Sequence, residues 1–566
     1  MFRSSCNVFL AVLALITSPL VRADAAPPIP LGPSETIVFF GDSITQQNLF
    51  TAYIETFLIS RFPGKQLLFW NAGIGGNKVD DGLARFDRDV ASLKPTIVIV
   101  NFGMNDGKYV PPDPKVRAHY VQGLKELIGK ITAIGARPIL CTPPAANKFH
   151  ALYLEPYNET LAGLAKAVVQ LGAEQHVPVI DLFAPFRAIA EQASPDPMLI
   201  PDGVHPNEAG HLLLAAPAFS RFGAPGPLGQ VAINEKTVKG NPLIIVSAVT
   251  SKAHSRGFQM KLTHLPFHIP ASAKAVAKSA GLQRSLNAFG LQIKNWAGTK
   301  TLRLLVNGQE VAVVPNEART QIDLAALVDA PWNKAAATLW KEAQSRFERQ
   351  SSSWRAIGID VSDFSRTLDS TVMLREALHV WSKEAGLAMR NLVAPTSYNV
   401  QLEETDEVVV QSLELSPKYD FDLSPADFET KHPPETAPDT VVWRTVAVVD
   451  RAIDLEKALD HPKKSVVYAR LVLQVAKAGE IDLQMGSNDG LSVFLNGTRA
   501  LAHNVSRGLK LGDESLVAKL NPGKNVLLFR VTQHEMHHGL TLKIRALGDL
   551  VVFQQAAHQQ QMPRPR

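Results

Sequence analysis

TIVFFGDS, residues 36–43, predicts a buried strand that ends at a polar turn. The residues after Thr36 are apolar up to Gly41, which is typical of a parallel strand that helices cover on both faces. Similar runs alternate with helical patterns along the next part of the chain. Strands are expected at 67–70, 96–100, 138–141 and 178–182, and helices near 115–134 and 153–174. This alternation predicts a doubly wound α/β sheet over residues 34–225, in which ligands bind at the carboxyl ends of the strands.

Four polar segments in this region contain the candidate catalytic residues. Ser43 follows the first strand close to a helix N-terminus, where backbone N–H groups can stabilise an oxyanion. Glycine-rich residues 71–77 and the asparagine-containing residues 101–106 follow the next two strands, and both can offer N–H donors to a substrate. Asp202 lies three residues before His205, so its carboxylate can fix the tautomer of the imidazole. Taken alone, each segment is weak evidence for catalysis and is better explained as a turn or a polar surface loop.

The weight of these segments comes from their combination in one predicted domain. Together they supply a nucleophile, a base with its orienting carboxylate, and oxyanion donors. This constellation resembles the SGNH hydrolases, also called the GDSL esterase/lipase family, over residues 34 to about 220. The residues that match the family's four signature positions and its fifth functional position are Ser43, Gly73, Asn105, His205 and Asp202.

The resemblance implies a fold and a set of roles. The fold is a flavodoxin-like three-layer α/β/α sandwich, in agreement with the strand and helix pattern. Ser43, Asp202 and His205 are the expected catalytic residues, and Ser43, Gly73 and Asn105 the expected oxyanion hole. Ile44 stands where the older family signature has leucine, a change that touches no catalytic position. Neither a metal nor an organic cofactor is expected.

The pattern changes after residue 225. Residues 226–400 predict a mixed α+β accessory region, with a hairpin at 302–313 that turns at Asn307-Gly308 and helices near 334–349 and 367–392. Proline and acidic residues predict a linker at 401–439. Short alternating strands then predict an all-β sandwich at 440–550, followed by a disordered tail at 551–566.

Two motifs in the predicted sandwich suggest binding. Residues 486–497 resemble the core hairpin of jelly-roll modules that are fused to secreted carbohydrate-active enzymes, which implies sugar binding, although structural packing explains them equally well. His534-Glu535-Met536-His537-His538 matches the H-E-x-x-H zinc-protease pattern. That chemistry requires a helix, whereas this match lies between two strand-like runs and predicts a hairpin loop, so no metal site is expected.

The first 25 residues have the layout of a secretory signal peptide. Arg3 precedes an apolar run at 8–16, and Ala23-Asp24-Ala25 fits a cleavage site. An uncleaved membrane anchor is the alternative. Cleavage would remove Cys6 and leave Cys141 as the only cysteine, which excludes an intramolecular disulfide. The apolar residues before Cys141 predict a buried strand position.

Composition narrows the class of protein further. The chain has 566 residues, 46% of them hydrophobic, and a formal net charge of +5. Its basic residues are scattered among acidic ones rather than clustered, so a nucleic-acid partner is not expected. These features predict a secreted or periplasmic serine ester hydrolase that removes acetyl groups from polysaccharide through an acyl-enzyme. A general short-chain esterase or lipase and a non-catalytic glycan-binding surface protein are the alternatives. The sequence does not indicate an oligomeric state.

Overall fold

The computed structural model describes most of the chain in twelve segments. They are residues 27–147, 154–190, 199–223, 226–234, 237–252, 254–298, 300–358, 368–422, 424–460, 464–534, 538–548 and 550–554. The predicted signal peptide at 1–25 and all but the first four residues of the predicted tail lie outside these segments.

Five parallel strands form the first sheet, in the order β2-β1-β3-β4-β5. The strands are β1 Ser34–Gly41, β2 Gln66–Gly73, β3 Ile97–Asn101, β4 Arg137–Cys141 and β5 Val179–Ile180. The helices are α1 Ser43–Gln46, α2 Leu49–Arg61, α3 Val79–Asp89, α4 Pro114–Ala133, α5 Leu154–Gln175, α6 Phe183–Ala190 and α7 Glu208–Arg221. The predicted three-layer α/β/α fold is therefore confirmed. Cys141 is buried at the end of β4, as expected.

Alternate residues of β1 enter two separate hydrophobic cores. Ile37 and Phe39 pack in the core that includes α2, whereas Val38 and Phe40 pack in the core that includes α3 and α4. A strand covered on both faces has no solvent-facing position, which explains the unbroken apolar run in the sequence. The register aligns Gly41 with Gly73 on β2 and with Asn101 on β3. Three of the predicted site segments therefore begin side by side.

The accessory region adds two sheets to the same molecule. The strands of these sheets are β6 Gly229–Ile233, β7 Val238–Lys239, β8 Ile244–Lys252, β9 Ser255–Leu262, β10 Phe289–Lys294, β11 Thr301–Val306, β12 Gln309–Val314, β13 Arg319–Asp323 and β14 Thr396–Thr405. Helices α8 Lys274–Ser279 and α9 Leu282–Asn287 lie between β9 and β10. One continuous core joins this region to the first domain, with the Phe267 ring 5.4 Å from Phe57 and 5.3 Å from Phe219. The accessory region is thus packed against the first domain.

Two long helices, α10 Pro331–Gly358 and α11 Leu368–Met389, cover the open edge of the parallel sheet. Arg346 Nη1 donates to the Phe69 carbonyl at 2.9 Å, and Gln350 Oε1 accepts from the Asn71 N–H at 3.1 Å. These side chains satisfy backbone groups of the edge strand β2 that would otherwise lack partners. The edge strand that ends at Gly73 is therefore held from outside the first domain.

The C-terminal part is a sandwich of two antiparallel sheets, as predicted. One sheet has the order β15-β26-β21-β24, and the other has β18-β16-β20-β25-β22-β23. The strands are β15 Glu407–Val408, β16 Ser412–Leu415, β17 Tyr419–Asp420, β18 Arg444–Ala447, β19 Ala452–Asp454, β20 Ser465–Val475, β21 Gly479–Ser487, β22 Leu491–Leu495, β23 Thr498–His503, β24 Glu514–Leu520, β25 Gly523–Gln533, β26 Gly539–Ala546 and β27 Val552–Gln554. Short helices α12 Pro425–Phe428, α13 Pro433–Thr436 and α14 Leu455–Ala458 lie between strands.

The structure differs from the sequence prediction at three places in this part. The predicted linker 401–439 contains half of β14 and all of β15, β16 and β17, because its alternating apolar residues, such as Leu413 and Leu415, are buried in sheets. The predicted tail includes β27, which pairs with β20. The strands on either side of the H-E-x-x-H motif, β25 and β26, do not form the predicted hairpin, since they belong to different sheets. Glu535, Met536 and His537 lie outside the described residues.

Candidate active site

Ser43 is the first residue of α1, directly after β1. Asp42 caps this helix by accepting a hydrogen bond from the Ile44 N–H at 3.0 Å. A Cβ atom at Gly41 would lie only 2.3 Å from Thr45 Oγ1 and 2.4 Å from the Asn101 carbonyl oxygen. Only glycine permits this close approach of β1, α1 and β3. The Gly-Asp-Ser sequence therefore provides the tight turn and the cap that present the Ser43 hydroxyl.

The structure brings Ser43, His205 and Asp202 into one hydrogen-bonded chain. His205 Nε2 lies 2.8 Å from Ser43 Oγ, and His205 Nδ1 lies 2.7 Å from Asp202 Oδ2. These distances are those of a serine hydroxyl paired with a base whose far nitrogen is held by a carboxylate. The arrangement is able to take the proton of Ser43 and to stabilise the resulting imidazolium.

The Asp202 carboxylate is held in its ionised form. Partial burial acts to raise the pKa of Asp202, but N–H donation from His205 at 2.7 Å and from Val204 at 2.9 Å, together with the His205 ring, lowers that pKa to about 2. The side chain is 56% exposed, so solvent screens much of this effect. Asp202 therefore stays negative at every pH where an esterase is normally assayed.

Gly73 packs tightly against α1 at the end of β2. A Cβ atom at this position would lie 2.3 Å from the Gln46 nitrogen, so the site requires glycine. The Gly73 N–H donates to Asn71 Oδ1 at 2.9 Å, and Asn71 Nδ2 donates to the Thr45 carbonyl at 2.6 Å. Asn71 thus ties the end of β2 to α1. In this structure the Gly73 N–H is therefore used by Asn71. To act as the predicted oxyanion donor, it must either donate to Asn71 Oδ1 and the oxyanion together or turn away from Asn71.

Asn105 has a fixed amide orientation. Its Nδ2 donates to the Asn77 carbonyl at 3.0 Å, and its Oδ1 accepts from the Tyr109 hydroxyl at 3.2 Å. Tyr109 is stacked on Tyr157 with 4.8 Å between ring centroids, and its φ angle of 57° is in the left-handed region. A bulky residue held in that conformation is strained, and such strain is often found at functional sites. The sequence contains no signal for this contact between Tyr109 and Asn105.

We expect Tyr109→Phe to lower kcat for ester hydrolysis about tenfold with little change in KM. The phenylalanine ring keeps the stack on Tyr157 but no longer holds Asn105 Oδ1, so the Asn105 amide can rotate away from the oxyanion position. Steady-state kinetics with a small ester measure the effect. Tyr120→Phe is the matched control, because the Tyr120 hydroxyl donates to the Phe102 carbonyl at 2.9 Å and does not contact Asn105. Equal losses in both variants would contradict the prediction.

Two further side chains, which the sequence prediction missed, position the His205 loop. Gln47 Nε2 donates to the carbonyl of Pro206 at 3.3 Å, and Gln47 Oε1 lies 3.1 Å from His211 Nε2. His211 is fully buried, and burial, followed by the neighbouring His205, lowers its pKa to about 3. A neutral His211 can therefore donate its Nε2 proton to Gln47, which in turn fixes the residue after His205.

Two buried carboxyl groups lie beside the site. Burial raises the pKa of Asp42 to about 7, and the nearby Asp106 carboxyl adds to this shift. Burial likewise raises the pKa of Asp106 to about 6, although the Val79 N–H donates to Asp106 Oδ1 at 2.9 Å. Two carboxyl groups that share a buried region disfavour each other's ionisation.

We expect Asp42→Asn to flatten the dependence of stability on pH. Because the folded-state pKa of Asp42 is raised, the folded protein keeps a proton between pH 3.8 and about 7 that the unfolded chain has lost. Its contribution to stability is therefore full below pH 3.8 and lost as the pH rises through about 7. Asparagine preserves the helix cap without ionising. Each pKa unit corresponds to about 1.4 kcal/mol, so the stability of the variant relative to the wild type should rise by a few kcal/mol between pH 3.8 and about 7. Parallel urea-unfolding profiles would exclude this role.

Within the described segments, no group of three His, Cys, Asp or Glu side chains is arranged to hold a metal ion. The helices of these segments likewise include none with the length and apolar content that crossing a bilayer requires.

Comparison with known proteins agrees with this geometry. Residues 39–213 match the sequence profile of the GDSL-like Lipase/Acylhydrolase family. This part of the chain is a GDSL-like domain. An acetylxylan esterase of Geobacillus stearothermophilus is 29% identical over 217 residues, which cover 34% of this chain and 94% of that enzyme. The family profile and this similarity support carboxylic ester hydrolase activity in the GDSL-like domain.

Two other similarities extend the comparison. The solved structure of a gut microbial diltiazem-metabolizing enzyme is 19% identical, with a TM-score of 0.59, and covers 67% of this chain and 99% of that one. This likeness shows that the fold shared with that protein extends beyond residues 39–213 of this chain. An uncharacterized lipoprotein, YqeF, of Bacillus subtilis is 33% identical over 93 residues, which cover 15% of this chain and 38% of that protein.

Proposed function

We propose that this chain is a secreted esterase that removes acetyl groups from polysaccharide through a covalent acyl-enzyme. The observation that carries the proposal is the hydrogen-bonded chain of Ser43, His205 and Asp202 in the GDSL-like domain, with distances of 2.8 Å and 2.7 Å. The similarity to an acetylxylan esterase favours the acetyl group and the polysaccharide.

In the first half of the proposed reaction, Ser43 Oγ attacks the carbonyl carbon of the ester while His205 Nε2 takes the hydroxyl proton. Asp202 stabilises the imidazolium that forms. The negative oxygen of the tetrahedral intermediate accepts hydrogen bonds from the N–H groups of Ser43 and Gly73 and from Asn105 Nδ2. The intermediate collapses as the imidazolium returns its proton to the leaving sugar hydroxyl, and the acetyl group remains on Ser43.

In the second half, a water molecule replaces the sugar. His205 takes a proton from the water as its oxygen attacks the acetyl carbonyl, and the same donors stabilise the second tetrahedral intermediate. Collapse breaks the bond to Ser43 Oγ, which regains its proton from His205. Acetate leaves, and the residues return to their starting protonation states.

Acetate release from acetylated xylan and acetylated pectin tests the substrate. We expect release from the polymers and, among p-nitrophenyl esters of rising chain length, a sharp preference for the acetyl ester. The Ser43→Ala variant is the blank. Activity confined to longer acyl chains would instead identify a lipase-like enzyme. Inactivity on every ester would contradict the esterase proposal and favour a glycan-binding protein.

Export is the second element of the proposal, and the signal-peptide pattern at residues 1–25 supports it. Expression of the full chain in a bacterial host with mass analysis of the exported fraction tests it. Recovery of a chain that begins at Ala26 is expected. A full-length chain that remains with the membrane fraction would contradict cleavage.

A further inference from the structure

A cavity of about 980 Å³ lies at one end of the C-terminal sandwich, far along the chain from the GDSL-like domain. We call it the edge cavity. It is lined by residues from the loops around β19, β22 and β26, among them Ile453, Asn488, Asp489, Leu509, His534 and His538. Its volume is at the upper end of the range for small-molecule sites. The residues of the H-E-x-x-H motif that the structure describes therefore contribute to a cavity rather than to a surface loop.

The edge cavity contains polar groups without hydrogen-bond partners. His538 is 2% exposed, and neither of its ring nitrogens has a partner. Asn488 is also buried, and its Oδ1 is unpartnered. His534 Nε2 is the third such group. Buried polar atoms are normally hydrogen-bonded, so a cluster of unpartnered ones around a cavity indicates that a ligand can supply the missing partners.

These groups are held in place by the surrounding structure. The backbone N–H of His534 donates to Asp489 Oδ2 at 2.8 Å, and its ring stacks on Phe421 with 5.7 Å between ring centroids. The His538 carbonyl accepts N–H donation from Leu455 at 2.9 Å and from Glu456 at 3.1 Å. A site with a fixed geometry loses less entropy when it binds a ligand.

The lining of the edge cavity suits an uncharged ligand. Arg507 is already paired with Glu514 at 2.8 Å, and Asp489 already accepts from His534. Burial lowers the pKa of His538 to about 4, so its ring is neutral and offers one donor and one acceptor. Ile453 and Leu509 add apolar surface. A ligand with closely spaced hydroxyl groups on an apolar ring matches this combination.

A second cavity, of about 730 Å³, lies on the face of the sandwich sheet that contains β16, β20, β22 and β25, and its lining includes Trp443. We call it the sheet-face cavity. Two of its arginine side chains are paired with glutamates that also line it. Arg470 contacts Glu414 at 2.8 Å and lies 4.2 Å above the centre of the Trp443 ring, and Arg499 contacts Glu429 at 2.6 Å. Among the buried side-chain atoms of the described residues that line this cavity, Arg530 Nε is the one without a partner. A ligand would have to displace these pairs, which makes the sheet-face cavity the weaker candidate and a suitable control.

We infer that the edge cavity is a carbohydrate-binding site, in which Asn488, His534 and His538 hydrogen-bond the hydroxyl groups of a neutral sugar unit. The choice of polysaccharide as ligand rests on the proposed function, but the binding does not depend on catalysis. A site of this kind would hold the esterase on the polymer whose acetyl groups it removes, and raise the local concentration of substrate.

The test uses the full-length chain with Ser43→Ala, so that bound polymer is not modified. Affinity electrophoresis in gels that contain alkali-deacetylated xylan, pectin or galactomannan measures binding. Retardation by at least one polymer is expected, and adding His534→Ala should weaken association about tenfold or more through the loss of hydrogen bonding. Asn488→Ala is a second variant with the same expected result, in case one substitution perturbs folding. Trp443→Ala, on the sheet-face cavity, should leave binding unchanged.

The outcomes separate this inference from the proposed function. Absence of retardation by every polymer, or full affinity in both His534→Ala and Asn488→Ala, would overturn the edge cavity as a sugar site. So would a loss of binding that occurs only in Trp443→Ala. In the active Ser43 background, His534→Ala should hydrolyse p-nitrophenyl acetate at the unaltered rate but deacetylate dilute polymer more slowly. Failure of the esterase proposal would instead appear as inactivity on p-nitrophenyl acetate before any sandwich residue is changed.

Discussion

Ser43→Ala is expected to lower kcat for ester hydrolysis by roughly a thousandfold or more, the largest effect of any single substitution in this chain. The substitution removes Ser43 Oγ, the hydroxyl oxygen that lies 2.8 Å from His205 Nε2 and would form the proposed covalent intermediate. His205 and Asp202 then have no nucleophile to activate. The residual rate of hydrolysis measures the catalysis that the oxyanion donors and a water molecule activated by His205 provide without the Ser43 hydroxyl. Initial rates with p-nitrophenyl acetate provide the comparison.

Two variants control for loss of folding. Ser92→Ala changes an exposed serine just after α3, whose hydroxyl donates to the Arg88 carbonyl at 2.6 Å, and should retain full activity. Asp202→Asn should also lose activity, but less than Ser43→Ala, because Asp202 acts through His205 and is partly solvated. A Ser43→Ala protein that keeps near-wild-type kcat would disprove the nucleophile assignment. Unaltered thermal unfolding of that protein would exclude misfolding as the cause of a loss.

The strands, and the strand ends that meet at the site, could be predicted because the sequence patterns that indicate them are local. Unbroken apolar runs such as residues 37–40 identify strands buried on both faces, and parallel strands share one carboxyl edge. That rule alone places Gly41, Gly73 and Asn101 together, and the register confirms it. The Asp202–His205 segment followed from its spacing. Its 2.8 Å approach to Ser43 depends on the fold of more than 150 intervening residues.

The contacts that support the site could not be predicted. The side chains that form them are distant in sequence from the strand they contact, and they are polar or charged, unlike typical core residues. A helix near 334–349 was predictable, but an amphipathic pattern does not indicate which surface the helix covers. Arg346 and Gln350 look like solvent-facing residues, yet both are buried against β2. The linker prediction failed for a related reason. Proline and acidic residues outnumbered the few alternating apolar residues, such as Leu413, that pair the segment into the sandwich.

Arg346→Met is expected to destabilise the protein by about 3–5 kcal/mol, the usual cost of removing one partner from a buried ion pair. Arg346 Nη2 lies 2.5 Å from Glu55 Oε2, and the two side chains are 3% and 1% exposed. Burial raises the pKa of Glu55, and Arg346 opposes that shift. Without Arg346, the carboxyl of Glu55 is left buried and unpaired, and the Phe69 carbonyl loses a donor. The midpoint of urea unfolding, followed by tryptophan fluorescence, measures the change.

The double variant Glu55→Gln with Arg346→Met distinguishes an unpaired charge from lost packing. Glutamine is neutral, so the double variant should be more stable than Arg346→Met although it differs more from the wild type. The raised pKa of Glu55 also fixes the sign of the pH effect. The single variant should lose stability as the pH rises, because the folded state then has to ionise a buried carboxyl, whereas the double variant should not. Because β2 ends at Gly73, movement of this edge strand should lower kcat in the single variant as well. An Arg346→Met protein with wild-type stability at pH 8 would show that the α10 helix does not hold the edge of the sheet.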